Sequence, residues 1–166
     1  MVRLERLRAD HAPALLAFER ENREFFTRSI PDRGDAYFAE FAVRHQALLT
    51  EQDTGLIHFH VVLDEHGALV GRVNLVDVAD GAAELGYRVG ARAAGRGVAT
   101  AAVEEVCRLA AAYGLSTLTA MTTLDNPASM AVLGKNGFAA VEDVEINGRP
   151  GVRYRKVLRD RGHGAD

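Results

Sequence analysis

The sequence predicts a mixed α/β (α+β) domain built on one mixed, mostly antiparallel sheet, and three features point there. Strand-like segments at 57–63, 68–76 and 82–89 follow one another with only short links, so they pair as antiparallel neighbours. A glycine-rich loop, Arg92-Ala93-Ala94-Gly95-Arg96-Gly97, then leads straight into an alanine-rich helical segment. That helix returns the chain to a strand at 115–121, which the crossover rule places parallel to 82–89. About seven strands and about four helices are expected in all.

Taken in order, Val2 to Arg8 sets Val2, Leu4 and Leu7 against Arg3, Glu5, Arg6 and Arg8, an imperfect alternation that reads as an opening strand. Asp10 is expected to cap a helix from about His11 to Glu21, with Leu15, Leu16 and Phe18 inward. Residues 29–35 read as a loop. A second helix is expected from about Asp35 to Glu51, its apolar stripe being Phe38, Phe41, Ala42, His45 and Leu48 or Leu49. In strand 57–63, His58 and His60 point the same way; lacking an evident third metal ligand, they read as surface or packing residues. Asp64 to Gly67 and Asp77 to Gly81 are turns. The helix after the glycine loop places Val98, Ala102, Val106, Leu109 and Tyr113 on one face. Asn126 and Pro127 suit the cap and first position of a last helix, and Gly137 suits its end. Strands 138–146 and 151–158 flank a hairpin at Asn147 to Pro150, and the polar residues 159–166 read as a frayed tail.

The 166 residues fit one domain, spanning 1–158, and 48% apolar residues suffice for a core. A net charge of −3 gives no basic surface for nucleic acid. No apolar run approaches the roughly 20 residues a membrane span needs. The charged opening residues are unlike a signal peptide, so a cytoplasmic protein is expected. The lone Cys107 has no disulfide partner and reads as a buried thiol; no Cys/His cluster has metal-ligand spacing.

The glycine loop has a specific chemistry. Glycines let a ligand approach the backbone closely, and the first N–H groups of a helix have no partner within it. A diphosphate suits that place, and Arg92 and Arg96 add positive charge. A plain tight turn would use glycines equally well. No Gly-Lys-Ser/Thr triplet occurs, and the dinucleotide pattern lacks its last glycine because Thr100 stands there. Arg92-x-x-Gly95-x-Gly97 followed by Val98-Ala99-Thr100 does resemble the acyl-CoA signature of the GNAT superfamily of N-acetyltransferases. Asn126-Pro127-Ala128-Ser129, with Val132-Leu133, Lys135 and Gly137-Phe138, resembles that superfamily's second block. The likeness covers about 57–158; Glu84-Leu85-Gly86-Tyr87 and the Asn-Pro-Ala-Ser block are most similar to the RimJ/RimL type, whose best-known members acetylate ribosomal-protein N-termini.

The resemblance implies a GNAT fold and acetyl-CoA as co-substrate, without a metal. It places the cofactor along Tyr87, Arg88 and Val89, over Arg92, Ala93, Ala94, Gly95, Arg96 and Gly97, against Val98, Ala99 and Thr100, and beside Asn126 and Ser129. Glu84 becomes the candidate base, with binding of the acceptor's positive charge as its alternative role. Ser129 becomes a candidate for assisting the leaving thiolate, with capping of the helix's first turn as the alternative. A tyrosine often serves that thiolate, but the matching position here is Leu133. Glu24, Phe25 and Phe26 are expected in the acceptor wall; alternatively they are a helix end with the phenylalanines in the core. The favoured acceptor is a protein or peptide N-terminus. A small amine (amino acid, polyamine or aminoglycoside) is the alternative, a polycation suiting the site if Glu24 and Glu84 converge. A CoA-binding module without catalysis is a third reading. Pairing of C-terminal edge strands into a homodimer is left open.

Overall fold

Alternation along one strand defines the two sides of this molecule. A computed structural model of the chain describes residues 2–158; the expected tail at 159–166 lies outside them. Strand β4, Ala82–Val89, sends Ala83, Leu85 and Tyr87 to one side, where they join a core with Val62, Val73, Leu75, Leu118 and Ala120. The other side carries Glu84, Gly86 and Arg88, and continues through β3 (Leu69–Ala79) to Phe59, Val61 and Leu63 of β2 (His58–Leu63). These pack with Leu7, Leu15, Phe18, Phe26 and Phe41. With β1 (Arg3–Arg6), β5 (Thr117–Thr123), β6 (Ala139–Ile146) and β7 (Arg149–Val157), the sheet has seven strands in the order β1-β2-β3-β4-β5-β7-β6. Only β4 and β5 are parallel, as the crossover requires.

Six helices accompany the sheet among the described residues: α1 (Ala12–Glu21), α2 (Arg23–Phe26), α3 (Asp35–Ala39), α4 (Phe41–Asp53), α5 (Val98–Ala112) and α6 (Pro127–Lys135). The surplus over four comes from short pieces. The expected helix at 35–51 breaks at Glu40, which has φ −104° and ψ 16°. The break buries Phe41 edge-on to Tyr37 and leaves Phe38 beneath the Arg23 guanidinium. Helical phase restarts there, so Phe41, His45 and Gln52 are buried and Ala42 is exposed. Asp10 does not cap α1: it lies in a 3-10 turn and takes its hydrogen bond from Arg8 Nε at 2.9 Å. Leu16 is only partly buried, and Glu19 is buried beside Leu15 and Phe18.

On α5 the buried residues are Ala102, Val103, Val106, Cys107 and Ala110, whereas Leu109 and Tyr113 sit at the margin. Small residues let this helix lie close to the sheet, which rotates the buried stripe toward them. His58 and His60 are both buried, so they are packing residues. His60 Nε2 lies 2.7 Å from Tyr113 Oη, and the His58 ring stacks on Tyr113. Burial pulls His60 down to about 4, so it stays neutral. The turns Asp80-Gly81 and Asn147-Gly148 have positive φ at both residues, the geometry that suits a two-residue hairpin; β3 runs further toward the first than expected, and β7 begins closer to the second. No described helix is long and apolar enough to cross a membrane.

Candidate active site

Strands β4 and β5 pair at only three positions, Ala82 with Thr117, Ala83 with Leu118 and Glu84 with Thr119, and then part. Beyond Glu84 the fork opens into a cavity of about 790 Å³, lined by Leu85 to Val89 on one arm and Ala120 to Thr123 on the other. The β3–β4 ladder determines what faces it. Gly90 donates its N–H to Val70 O at 2.9 Å, so in an alternating antiparallel ladder Arg88 and Gly86 also bond toward β3. The N–H groups of Tyr87 and Val89 therefore point the other way, into the fork.

At the mouth of the fork lies the glycine loop. Gly95 and Gly97 have φ of 74° and 76°, and a Cβ at either would meet nothing within 4 Å. Gly97 is the N-cap of α5, which has no side-chain cap. Among the described residues no hydrogen bond uses the N–H of any residue from Gly95 to Thr100. A run of unpartnered donors at the positive end of a fifteen-residue helix is an anion cradle. Ala93, Ala94, Gly95, Gly97, Val98, Ala99 and Thr100 line the cavity, but Arg92 and Arg96 do not. Arg92 instead pairs with Glu21 at 2.7 Å. The loop is anchored by Asn22, which sequence reasoning missed: its Oδ1 accepts from Ala91 N at 2.9 Å and its Nδ2 donates to Phe18 O at 2.9 Å.

Asn126 and Ser129 line the opposite side. Asn126 caps α6, its Oδ1 accepting from Ser129 N at 3.2 Å. Ser129 Oγ lies 2.9 Å from Tyr87 Oη. Burial pushes the Tyr87 hydroxyl up despite that bond, so it remains protonated at neutral pH. Leu133 is buried in the core at this point. The tyrosine hydroxyl on this side of the cavity comes from Tyr87 on β4.

The remaining wall runs from Phe25 to Pro31, from α2 into the following loop. Phe25 and Phe26 line it; Glu24 is exposed and does not. Glu84 stands at the last paired position of the fork, half-buried, and is also outside the lining. It shares its sheet face with Gly86, where a Cβ would meet open space, and with Asn74, whose buried Oδ1 has no partner. The strongest electrostatic feature went unread in the sequence. Glu19, 1% exposed, accepts from Arg33 Nε and Nη2 at 3.1 Å, Arg72 Nη1 at 2.9 Å and Arg88 Nη1 at 3.1 Å. Burial would raise its carboxyl, but the three guanidiniums more than offset that and hold it below the usual range. Burial and the nearby Arg33 pull Arg88, itself part of the cavity lining, down to about 10.

Residues 2–139 match the family described as acetyltransferase (GNAT) domain. The chain belongs to the GNAT acetyltransferases. The GNAT fold extends to solved structures of low identity. The ribosomal-protein-S5-alanine acetyltransferase from Vibrio fischeri is similar at a TM-score of 0.88 and 21% identity, covering 96% of this chain and 94% of that one. RimJ from Mycobacterium smegmatis, solved with a CoA disulfide, gives 0.81 and 23%, covering 94% and 81%. Spermidine N-acetyltransferase from Vibrio cholerae, solved with CoA and spermine, gives 0.79 and 16%, covering 95% of each chain. No curated protein sequence matches this chain. Proteins named for such different acceptors share this GNAT fold, so the fold does not choose among acceptors.

Proposed function

We propose that this chain transfers acetyl from acetyl-CoA to the primary amine of a protein or peptide N-terminus, by direct attack and without a covalent enzyme intermediate. The observation that carries the reading is the fork, whose unpaired Tyr87 and Val89 N–H groups lead to the unpaired N–H groups of Gly95 to Thr100. Acetyl-CoA supplies an acyl group on a good leaving group; the chain's own residues do the rest. The cradle at Gly95 to Thr100 holds the diphosphate. The N–H of Val89 or Tyr87 donates to the carbonyl oxygen. Asn126 keeps its Nδ2 for the pantetheine arm while Oδ1 caps α6. Tyr87 Oη, positioned by Ser129, donates to the departing sulfur. Glu84, with Asn74 Oδ1 on the same face, receives the acceptor ammonium and takes its proton through water. An acetyl-CoA-dependent reaction suits a cytoplasmic enzyme.

The test is acetyl-CoA consumption with a panel of peptides, amino acids, polyamines and aminoglycosides, with products read by mass. Acetylated peptide N-termini are expected. Acetyl-CoA binding without any acetylated amine overturns the reaction. In Glu84→Gln, lost turnover with unchanged acetyl-CoA affinity is expected; turnover like the wild type removes Glu84 from the mechanism.

A further inference from the structure

Charge is unevenly distributed around the cleft. Among the described residues the lining contains four cationic side chains, Arg28, Arg88, Lys135 and Arg149, and neither aspartate nor glutamate. Arg149 is paired with Asp125 outside the lining. Arg28 and Arg88 lie together beside Phe25 and Phe26. Arg28 is exposed, forms no ion pair among the described residues, and its guanidinium lies over the Phe25 ring at 5.6 Å. Arg88 stacks over Phe26 at 4.6 Å and is tied to Glu19 through one N–H, leaving further donors. Glu19 itself is divided among three guanidiniums, so the cluster keeps two positive charges in excess. Of the neighbouring carboxylates, Glu21 is committed to Arg92 and Asp32 to Arg23, while Glu24 is exposed and outside the lining.

This arrangement is the reverse of a polycation site. A polyamine or aminoglycoside would bring its remaining ammonium groups against unneutralised guanidiniums with no lining carboxylate to receive them. An anionic group is what guanidiniums in a partly desolvated wall recognise best, because their fixed donors match carboxylate oxygens. We infer that the acceptor is an amine whose own molecule carries an anionic group, held by Arg28 and Arg88 while the amine meets the fork. The inference deepens the amine-acetylation reading and depends on it. A free acidic amino acid and a peptide with acidic residues behind its N-terminus are the two sources of this chemistry.

The test compares kcat/KM for peptides of one length that differ only in residues two to four, acidic, neutral or lysine-rich, together with free glutamate and spermidine. The acidic peptide is expected to exceed the neutral one by about tenfold and the lysine-rich one by more, with the margin shrinking between about 0.05 and 0.5 M salt. Comparable acetylation of free glutamate assigns a free amino acid as the source; acetylation of the acidic peptide alone assigns a polypeptide. Arg28→Glu, with folding checked by thermal melting, is expected to invert the peptide order. Spermidine or the lysine-rich peptide as the best acceptor overturns the inference, as does a preference indifferent to charge or unmoved in Arg28→Glu. If no amine of any charge is acetylated, the proposed reaction fails, and the inference with it; a wrong charge order among acetylated products sinks the inference alone.

Discussion

The wall at the glycine cradle is made of backbone, and the wall at Arg28 and Arg88 is made of charged side chains. The first comes from one contiguous stretch, Gly90 to Thr100, in which two positive-φ glycines and a helix start turn N–H groups toward the cavity. The second is assembled from α1, the loop after α2, β3 and β4, and its Arg88–Glu19 contact joins residues 69 positions apart. A backbone wall binds whatever matches its donors, and side-chain changes elsewhere scarcely alter it. A side-chain wall stands only while every partner is present, so it is the more fragile and the more readily retuned of the two.

The sharpest way to break the second wall is Glu19→Ala. Three buried or half-buried guanidiniums would lose their common carboxylate, and removing one partner of a buried ion pair costs about 3–5 kcal/mol. Chemical denaturation should show that loss; a change within about 0.5 kcal/mol would mean the arginines are solvated without Glu19. The same group gives a pH signature. Its folded pKa lies below its unfolded value, so its stabilisation is complete above the unfolded pKa and is lost as pH falls through the folded one. Melting temperature should therefore fall on acidification less steeply in Glu19→Gln than in the wild type.

Gly97→Glu attacks the backbone wall. The side chain must be held at φ 76°, and its carboxylate is placed at a cradle for anions. Acetyl-CoA affinity by calorimetry should drop at least about a hundredfold, roughly 3 kcal/mol. Gly97→Ala carries the strain without the charge and should lose less. Equal losses in both variants would put the effect on backbone geometry, and unchanged affinity in Gly97→Glu would remove the loop from the cofactor site.

How much of this was readable from sequence follows the same division. The seven strands, the glycine loop leading into α5, the parallel crossover and the Asn126 cap were legible because each is dictated by residues adjacent in the chain. Misplaced features all depend on tertiary packing: the break at Glu40, the α5 stripe turned toward Val103 and Cys107, and Asp10 drawn to Arg8. Glu24 was expected at the acceptor because its neighbours Phe25 and Phe26 are there, but it is exposed outside the cavity lining. Glu19 was hidden within an ordinary amphipathic helix, and only the fold shows that three distant arginines meet it. Buried charge on an otherwise apolar helix face, Glu19 beside Leu15 and Phe18, was the one available signal.

Tyr87 lies where backbone and side chain share the work. Its N–H belongs to the fork, and its hydroxyl is bonded to Ser129. Tyr87→Phe should keep acetyl-CoA affinity and lower kcat about tenfold, near the value of one neutral hydrogen bond. Ser129→Ala, which loosens the hydroxyl without removing it, should cost less. No loss in either would mean that the thiolate departs without help.

The smallest predicted effect tests whether the two walls are independent at all. Asn22 is buried between them, bonded to the end of α1 through Phe18 O and to the start of the cradle through Ala91 N–H. A Cβ at Gly90 would lie 3.0 Å from Asn22 and Phe18, so the chain keeps glycine there to let this contact form. Removing the side chain in Asn22→Ala costs about 1 kcal/mol of loop order, enough to raise the acetyl-CoA KM about fivefold. If the walls act separately, the acceptor KM stays as it was and only the cradle loosens. If both KM values rise together, α1 and the cradle move as one unit through Asn22. Binding of the first substrate would then help to set the wall that receives the second.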